Sequence, residues 1–231
     1  MIDLLFPKRC PLCQTVMNFG ISGVCEECEK NLCWVKDPVC LKCGKTIQDS
    51  EMEYCTDCMK IQKSFERCYP AFDYEGKIKD SLYEFKYKNQ RQFADFYCDC
   101  IIKRHGKELK NLSLDGVIPV PVHTRKKKYR GYNQAQLIAN KISKALKVPL
   151  YSDYLVRITD TNPQKELDDR QRMKNLKNAF KIAENVVKLD TVLLVDDIYT
   201  SGATMEACTI ALKDVGVGKV YCASVAIGRG Y

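Results

Sequence analysis

Apolar runs and amphipathic stretches follow one another regularly from residue 69 to the end of the chain. Short apolar runs indicate strands, and apolar residues spaced three or four positions apart indicate helices. Because strands alternate with helices, the pattern predicts an α/β fold whose mostly parallel sheet is flanked by helices on both faces. We predict strands at 69–74, 117–120, 150–156, 179–183, 192–195 and 220–227, and helices at 78–87, 93–102, 134–146 and 205–215.

The run 192–195 is the strongest strand signal, since four consecutive apolar residues suit a strand buried on both faces. Asp196 and Asp197 come directly after it, at the predicted end of the strand. Ligands of open α/β sheets bind at the carboxyl ends of strands, and backbone N–H groups at a helix start bind phosphate. The sequence therefore predicts a sugar-phosphate site whose acids accept from hydroxyls. The loop that would hold the phosphate consists of Thr200, Ser201, Gly202, Ala203 and Thr204.

Two common phosphate motifs do not fit this run. No lysine follows Gly202, as a nucleoside triphosphate loop requires, and the three spaced glycines of a dinucleotide site are missing. An ordinary turn capped by Thr200 or Ser201 is the structural alternative. A cap needs one hydroxyl and does not explain the acid pair, so we favour the substrate site.

Residues 192–204 resemble the 5-phosphoribosyl 1-pyrophosphate (PRPP) motif of type I phosphoribosyltransferases. The resemblance implies a phosphoribosyltransferase-like fold in which Asp196 and Asp197 hold the ribose hydroxyls and act as the catalytic acids. It implies that residues 200–204 hold the 5-phosphate. It also implies Mg²⁺, held largely by the diol and pyrophosphate of the substrate, as is usual for this ion.

A basic stretch lies between the strand at 117–120 and the helix at 134–146, and we expect it to be a loop. Tyr129 and Tyr132 lie among its cations, an arrangement typical of platforms for single-stranded nucleic acid. The cation density also suits a diphosphate leaving group. A solvated basic loop is the alternative. The cations are Arg125, Lys126, Lys127, Lys128 and Arg130.

A second polar stretch, 159–171, follows the strand predicted at 150–156. Asn162 and Pro163 in succession argue for a loop. We predict a lid over the site, which would exclude water during transfer. Lys165 and Arg170 would stabilise the departing pyrophosphate. The alternative is an ordinary loop with exposed charges.

Eight of the ten cysteines in residues 1–68 form four pairs in which two residues separate the partners. Two such pairs can complete a tetrahedral thiolate site, so we predict two structural Zn²⁺ ions. Sequential ligation is the simpler choice, and interleaved ligation stays open. A disulfide framework would need a secreted chain, and the apolar start at 2–6 is too short for a signal peptide. The predicted ligands are Cys10, Cys13, Cys25, Cys28, Cys40, Cys43, Cys55 and Cys58.

The net charge of +8 is distributed unevenly along the 231 residues. Residues 1–68 hold nine basic and ten acidic side chains, whereas 69–231 hold 28 basic and 19 acidic ones. The basic part favours polyanionic partners. Six further cysteines suit a reducing compartment, and no apolar run is long enough for membrane insertion. We expect a cytoplasmic protein.

The order of motifs over nearly the whole chain resembles the ComF family of competence-related proteins. Paired zinc ribbons at 1–68 precede a phosphoribosyltransferase-like domain at 69–231. The specific parts are the block 130–134, Arg-Gly-Tyr-Asn-Gln, and the acidic run. Between these two parts lie Arg157, Gln164, Leu167, Arg170, Asn175 and Phe180.

The ComF resemblance implies a bacterial cytosolic protein linked to DNA uptake. It implies PRPP as ligand, and handling of incoming single-stranded DNA beside a helicase or another competence protein. It leaves open whether the protein catalyses transfer. Two other hypotheses stand beside it: an active phosphoribosyltransferase acting on a nucleobase or other amine, and a zinc-ribbon scaffold with an inert α/β domain. The intact acidic run weighs against the scaffold.

Overall fold

A computed structural model describes residues 8–17, 23–159, 179–184 and 186–228. The main sheet contains β1 (Cys68–Asp73), β2 (Gly116–Pro119), β5 (Thr191–Tyr199) and β6 (Lys219–Ile227), all parallel and in the order β1-β6-β5-β2. Strands β3 (Leu155–Arg157) and β4 (Phe180–Ile182) form a separate antiparallel pair. The helices are α1 (Glu26–Lys30), α2 (Thr56–Lys60), α3 (Gly76–Tyr87), α4 (Phe93–Lys110), α5 (Thr124–Arg130), α6 (Gln134–Leu146) and α7 (Ala203–Asp214).

Helices cover both faces of the sheet because side chains of the central strand β5 alternate between them. Leu193 and Val195 pack in one core cluster with residues of α3, α4 and α6. Val192 and Leu194 pack in a second cluster with residues of α7. All four side chains are fully buried. The predicted parallel sheet with helices on both faces is confirmed.

The two cysteine-rich segments pack on opposite faces of this sheet. Cys10 and Cys28 belong to the core cluster of α3, α4 and α6, whereas Cys40 and Cys43 belong to the cluster of α7. The chain between the segments, 33–35, runs along the outer edge of β1. There the Val35 N–H donates to the Ala71 carbonyl at 3.1 Å, and the Asp73 N–H donates to the Cys33 carbonyl at 2.8 Å. The edge of the sheet is therefore covered, which protects it from pairing with another chain.

Two predicted elements differ in extent. Helix α4 runs to Lys110, whereas the sequence predicted an end at 102. Its last two turns are mostly polar, but Leu109 is buried and continues the apolar face of the helix. The strand predicted at 150–156 is only partly present: Leu150 makes a single parallel bridge to Val117, and β3 begins at Leu155 and pairs antiparallel with β4. In the described part of the chain, no helix is both long and apolar enough to span a membrane.

Two other elements bear on the candidate site. The predicted basic loop contains α5, because lysine and arginine are good helix formers and nothing between Thr124 and Arg130 breaks the helix. Gly131, with φ of +79°, ends it. Strand β5 does not end at residue 195 but runs on to Tyr199, so Asp196 and Asp197 lie within the strand. The division of the chain at residue 68 stays a prediction.

A close approach at Gly44 joins the second cysteine-rich segment to β1. Its φ is +75°, and a Cβ there would overlap the Pro70 ring and the Cys68 carbonyl. We expect Gly44→Ala to lower the free energy of unfolding by about 1–3 kcal/mol more than Gly216→Ala. Gly216 is the matched control, since its φ is +92° but a Cβ would meet nothing within 4 Å. Chemical denaturation of the metal-loaded variants measures both, and equal losses would contradict the proposed contact.

Candidate functional site

Asp196 and Asp197 are adjacent residues within β5. The backbone N–H of Asp197 donates to Oδ1 of Asp196 at 2.8 Å. Lys86, from the last turn of α3, places its Nζ 3.0 Å from Oδ1 of Asp197. The Asp197 side chain is only 11% exposed and that of Lys86 20%, whereas Asp196 is half-buried. The sequence reasoning identified both acids but did not identify Lys86.

The charges at this pair are strongly coupled. Burial and the neighbouring charge of Asp197 raise the pKa of Asp196 to about 7, although Lys86, the Asp197 N–H and Arg157 act in the opposite direction. Burial alone would lower the pKa of Lys86, but Asp197 and Asp196 outweigh it and the net shift is upward. Lys86 therefore stays charged, and Asp196 titrates near neutral pH.

The block 130–134 holds the end of α3 that carries Lys86. The Tyr132 hydroxyl donates to the Phe85 carbonyl, and Gln134 Nε2 donates to the Lys86 carbonyl at 3.5 Å. Arg130 lies 4.8 Å from the Tyr87 ring centre and donates to its hydroxyl at 3.1 Å. These contacts fix the position of the lysine relative to the acids. We refer to residues 130–134 as the brace.

A sequence signal for Lys86 exists. The apolar stripe of α3 contains Ile78, Leu82 and Phe85, and Lys86 lies four positions after Leu82. Residues four apart share a helix face, so this lysine interrupts a buried stripe. Since a buried lysine needs a partner, its position predicts a nearby carboxylate.

The small-residue loop after β5 leads through a left-handed glycine into α7. Gly202 precedes the first residue of α7 and has φ of +76°, and its Cα lies so close to the Tyr199 ring that a Cβ would overlap it. Ser201 Oγ accepts from the Ala203 N–H at 3.4 Å. Thr200 is exposed, and Ser201 and Thr204 are half-buried. The start of a twelve-residue helix therefore lies six positions after Asp197 in the chain, with three hydroxyl side chains next to it in the sequence.

The chain that follows the second cysteine-rich segment supports this loop from the inner side. Lys63 Nζ donates to the Ser201 carbonyl at 3.2 Å. The backbone N–H and the hydroxyl of Ser64 donate to the buried Glu206 carboxylate at 2.8 and 2.6 Å. The Phe65 and Tyr199 rings meet edge to face with centroids 6.2 Å apart. The position of the loop therefore depends on residues 63–65.

The eight predicted metal ligands form two clusters. In each, the four sulfur atoms lie within 4.8 Å of one another, and the Cys13–Cys25 and Cys43–Cys55 sulfurs are 3.6 Å apart. Zn–S bonds in a tetrahedral site place sulfurs about 3.8 Å apart, so both clusters fit zinc. The grouping is sequential, as the simpler alternative predicts. One cluster is Cys10, Cys13, Cys25 and Cys28, and the other is Cys40, Cys43, Cys55 and Cys58.

Of the cations predicted to bind pyrophosphate, one lies near Lys86, four others lie earlier on α5, and two lie outside the described residues. Arg130 reaches Tyr87, next to Lys86. Arg125, Lys127 and Lys128 are exposed on α5, and Lys126 is half-buried. Lys165 and Arg170, with the predicted lid, lie outside the described residues.

The two tyrosines of the basic stretch differ in their exposure to solvent. The Tyr129 side chain is 83% exposed, whereas Tyr132 is 5% exposed and its hydroxyl is used by the brace. The prediction that both tyrosines lie open among the cations is therefore wrong for Tyr132.

Two family models match this chain. Residues 1–59 match the double zinc ribbon domain, and residues 133–230 match the phosphoribosyl transferase domain. The second match includes the brace from Asn133 onward, the acid pair and the loop that follows.

Curated relatives match over most of the chain. Competence protein F of Haemophilus influenzae is 29% identical over 225 residues, covering 93% of this chain and 95% of that protein. DNA utilization protein YhgH of Escherichia coli K12 is 27% identical, covering 95% and 97%. Competence protein ComFC of Bacillus subtilis is 22% identical, covering 84% and 79%. The chain is therefore a homologue of the competence protein F, YhgH and ComFC proteins, and it joins a double zinc ribbon to a phosphoribosyltransferase domain.

Proposed function

We propose that this protein binds PRPP at the carboxyl end of β5 and handles incoming single-stranded DNA in the cytoplasm. The observation that carries the PRPP site is the acid pair beside the left-handed Gly202 at the start of α7. Asp196 and Asp197 accept hydrogen bonds from the ribose diol. Backbone N–H groups and hydroxyls of residues 200–204 hold the 5-phosphate.

The ion pair with Lys86 is compatible with ribose binding. A carboxylate offers about four acceptor sites, and Lys86 contacts Oδ1 of Asp197. Lys86 also offsets part of the negative charge that Asp197 adds beside Asp196. Arg130 and the α5 cations then supply positive charge for the pyrophosphate, together with Lys165 and Arg170 of the proposed lid.

Carboxylate oxygens and phosphate oxygens are the donors that Mg²⁺ prefers, so the acid pair fits a PRPP–Mg²⁺ complex. Most of the metal contacts would come from the substrate itself. When bound, the ion neutralises part of the pyrophosphate charge. The two cysteine clusters hold structural Zn²⁺, because four thiolates leave no coordination position for water.

The DNA part of the proposal follows the names of the relatives, which are competence and DNA utilization proteins. The partners would be single-stranded DNA and a DNA-uptake helicase or another competence protein. An active phosphoribosyltransferase acting on a nucleobase or other amine is the alternative, in which Asp196 would stabilise the positive charge that develops on the ribose ring. Base-dependent release of pyrophosphate would favour that alternative.

The acid pair can be tested directly by changing both carboxylates. Asp196→Asn with Asp197→Asn should weaken PRPP–Mg²⁺ binding at least about 100-fold, since hydrogen bonds to charged groups contribute about 1.5–3 kcal/mol each. Isothermal titration calorimetry measures the affinity. Asp214→Asn, at the exposed far end of α7, is the matched control and should bind like the unchanged protein. Unchanged affinity in the double variant would refute the PRPP site.

The raised pKa of Asp196 predicts a pH dependence with a definite sign. The carboxyl must lose its proton to accept hydrogen bonds from the diol, so PRPP affinity should rise as pH increases through about 7. The stability of the ligand-free protein should depend on pH in the opposite direction. Because the pKa of Asp196 is higher in the folded than in the unfolded chain, this group stabilises the fold at low pH. Its contribution to the free energy of unfolding is lost as pH rises through about 7.

The comparison with Asp196→Asn isolates this effect from the ionisation of PRPP itself. Charged groups facing Asp196 are Asp197, Lys86 and Arg157, and none is altered by the substitution. Calorimetry from pH 6 to pH 8 should give a steeper rise for the unchanged protein than for the variant. Parallel curves would exclude Asp196 as the titrating group.

The second ribbon is the segment that contains the cluster of Cys40, Cys43, Cys55 and Cys58, and the phosphate loop is residues 200–204. Removal of zinc from the second ribbon should weaken phosphate binding by the phosphate loop. Residues 63–65 follow this ribbon and contact Ser201, Glu206 and Tyr199. We expect Cys43→Ser to lower the metal content from two Zn²⁺ per chain to one and to weaken PRPP binding about tenfold or more. Elemental analysis and calorimetry measure the two effects.

Cys13→Ser in the first ribbon is the control for this prediction. That cluster packs on the opposite face of the sheet from α7. We expect the same loss of one zinc ion with a smaller change in PRPP affinity. Equal affinity losses in the two variants would contradict a specific coupling between the second ribbon and the phosphate loop.

A further inference from the structure

Three planar side chains lie in a row at the end of α3, with the Tyr83 and Tyr87 rings tilted by 45° to each other. The Tyr83 and Tyr87 rings lie with their centroids 4.9 Å apart, and the Arg130 guanidinium lies 4.8 Å from the Tyr87 centroid. Arg130 also donates to the Tyr87 hydroxyl at 3.1 Å, which fixes the orientation of both groups. We call these three residues the stack.

The stack lies on the surface, although tyrosine rings of this kind usually contribute to a core. Tyr83 is 56% exposed and Tyr87 is 47% exposed. The apolar stripe of α3 already supplies the core with Ile78, Leu82 and Phe85, so the fold does not need the two tyrosines. Neighbouring exposed aromatic residues mark an interaction surface.

The charge beside the stack specifies the kind of partner. Arg125, Lys127 and Lys128 are exposed on α5, and Tyr129 on the same helix is 83% exposed. Aromatic rings that stack bases, next to cations that follow phosphates, form the usual platform for single strands. Asp80 and Glu84 on α3 repel phosphates, so the backbone of a bound strand would lie on the α5 side.

We propose that the stack of Tyr83, Tyr87 and Arg130 binds the bases of single-stranded nucleic acid while α5 binds its phosphates. This inference rests on the DNA part of the proposed function and assigns it a surface. Bases in a duplex already stack on each other, so the surface selects single strands. Tyr87 follows Lys86 in the chain, so the bound strand would lie at the same end of α3 as the lysine that contacts Asp197.

The salt dependence of binding separates stacking from phosphate contacts. Loss of a phosphate contact flattens the dependence of affinity on salt, whereas loss of base stacking weakens binding at every salt concentration without changing the slope. Fluorescence anisotropy of the zinc-loaded full chain with labelled oligothymidylate measures both quantities. A duplex of the same length is the comparison ligand.

We expect Tyr83→Ala with Tyr87→Ala to weaken binding of the single strand about tenfold or more with an unchanged salt slope. Tyr83→Phe with Tyr87→Phe keeps both rings and loses only the hydrogen bond from Arg130, so it should lose much less affinity than the double alanine variant. Tyr54→Ala, a tyrosine 42% exposed on the second ribbon, is the matched control.

Lys126, Lys127 and Lys128 changed together to Ala should weaken binding of the single strand and flatten its dependence on salt. Binding by the double alanine variant that equals that of the unchanged protein would overturn the proposal, and so would equal losses for single strand and duplex.

Calorimetry with PRPP keeps this result separate from the proposed function. Tyr83→Ala should leave PRPP affinity unchanged, because Tyr83 does not contact the brace or the acids in the described structure. If the unchanged protein binds PRPP but no single strand, the stack and the DNA role are both wrong and the PRPP site stands. If it binds no PRPP but loses single-strand binding in the tyrosine variants, the stack stands without the PRPP site.

Discussion

Two adjacent carboxylates in the central strand of a buried sheet repel each other, and the surrounding structure is arranged around that repulsion. Lys86 offsets the charge of Asp197 from 3.0 Å away, and Arg157 acts on Asp196. Lys86 can do so only if the end of α3 stays in place, which the brace ensures by binding the carbonyls of Phe85 and Lys86. The block 130–134 therefore acts on the acid pair through Lys86, without contacting the acids in the described hydrogen bonds.

The zinc ribbons also influence residues 200–204, the loop that follows the acids. They lie on opposite faces of the sheet, and the chain between them covers the β1 edge. Small metal-bound segments have little core of their own, so their stability comes largely from the metal. Because Ser64 donates two hydrogen bonds to buried Glu206, the rigidity of the second ribbon is passed to α7 and the loop before it.

The sequence was sufficient for features whose signal is local. The apolar run before Asp196 predicts a buried strand, and the cysteine spacing predicts the two clusters. Features set by distant contacts could not be predicted in this way. Lys86 meets Asp197 only after folding, and Tyr132 is buried because its hydroxyl reaches Phe85. The basic stretch is helical although its dense charge is typical of an exposed loop, because lysine and arginine are also good helix formers.

Helix α3 connects the two proposed activities because it has different chemistry on its two sides. Its inner side carries Lys86 to the acid pair, and its outer side carries Tyr83 and Tyr87 to the surface. Arg130 belongs to both, since it stacks on Tyr87 and bonds to Gln134 of the brace at 3.3 Å. A strand bound on the outer side would restrain Arg130 and, through the brace, the position of Lys86. Sugar-phosphate binding and nucleic-acid binding would then be coupled through one helix end, without movement of the sheet or the ribbons.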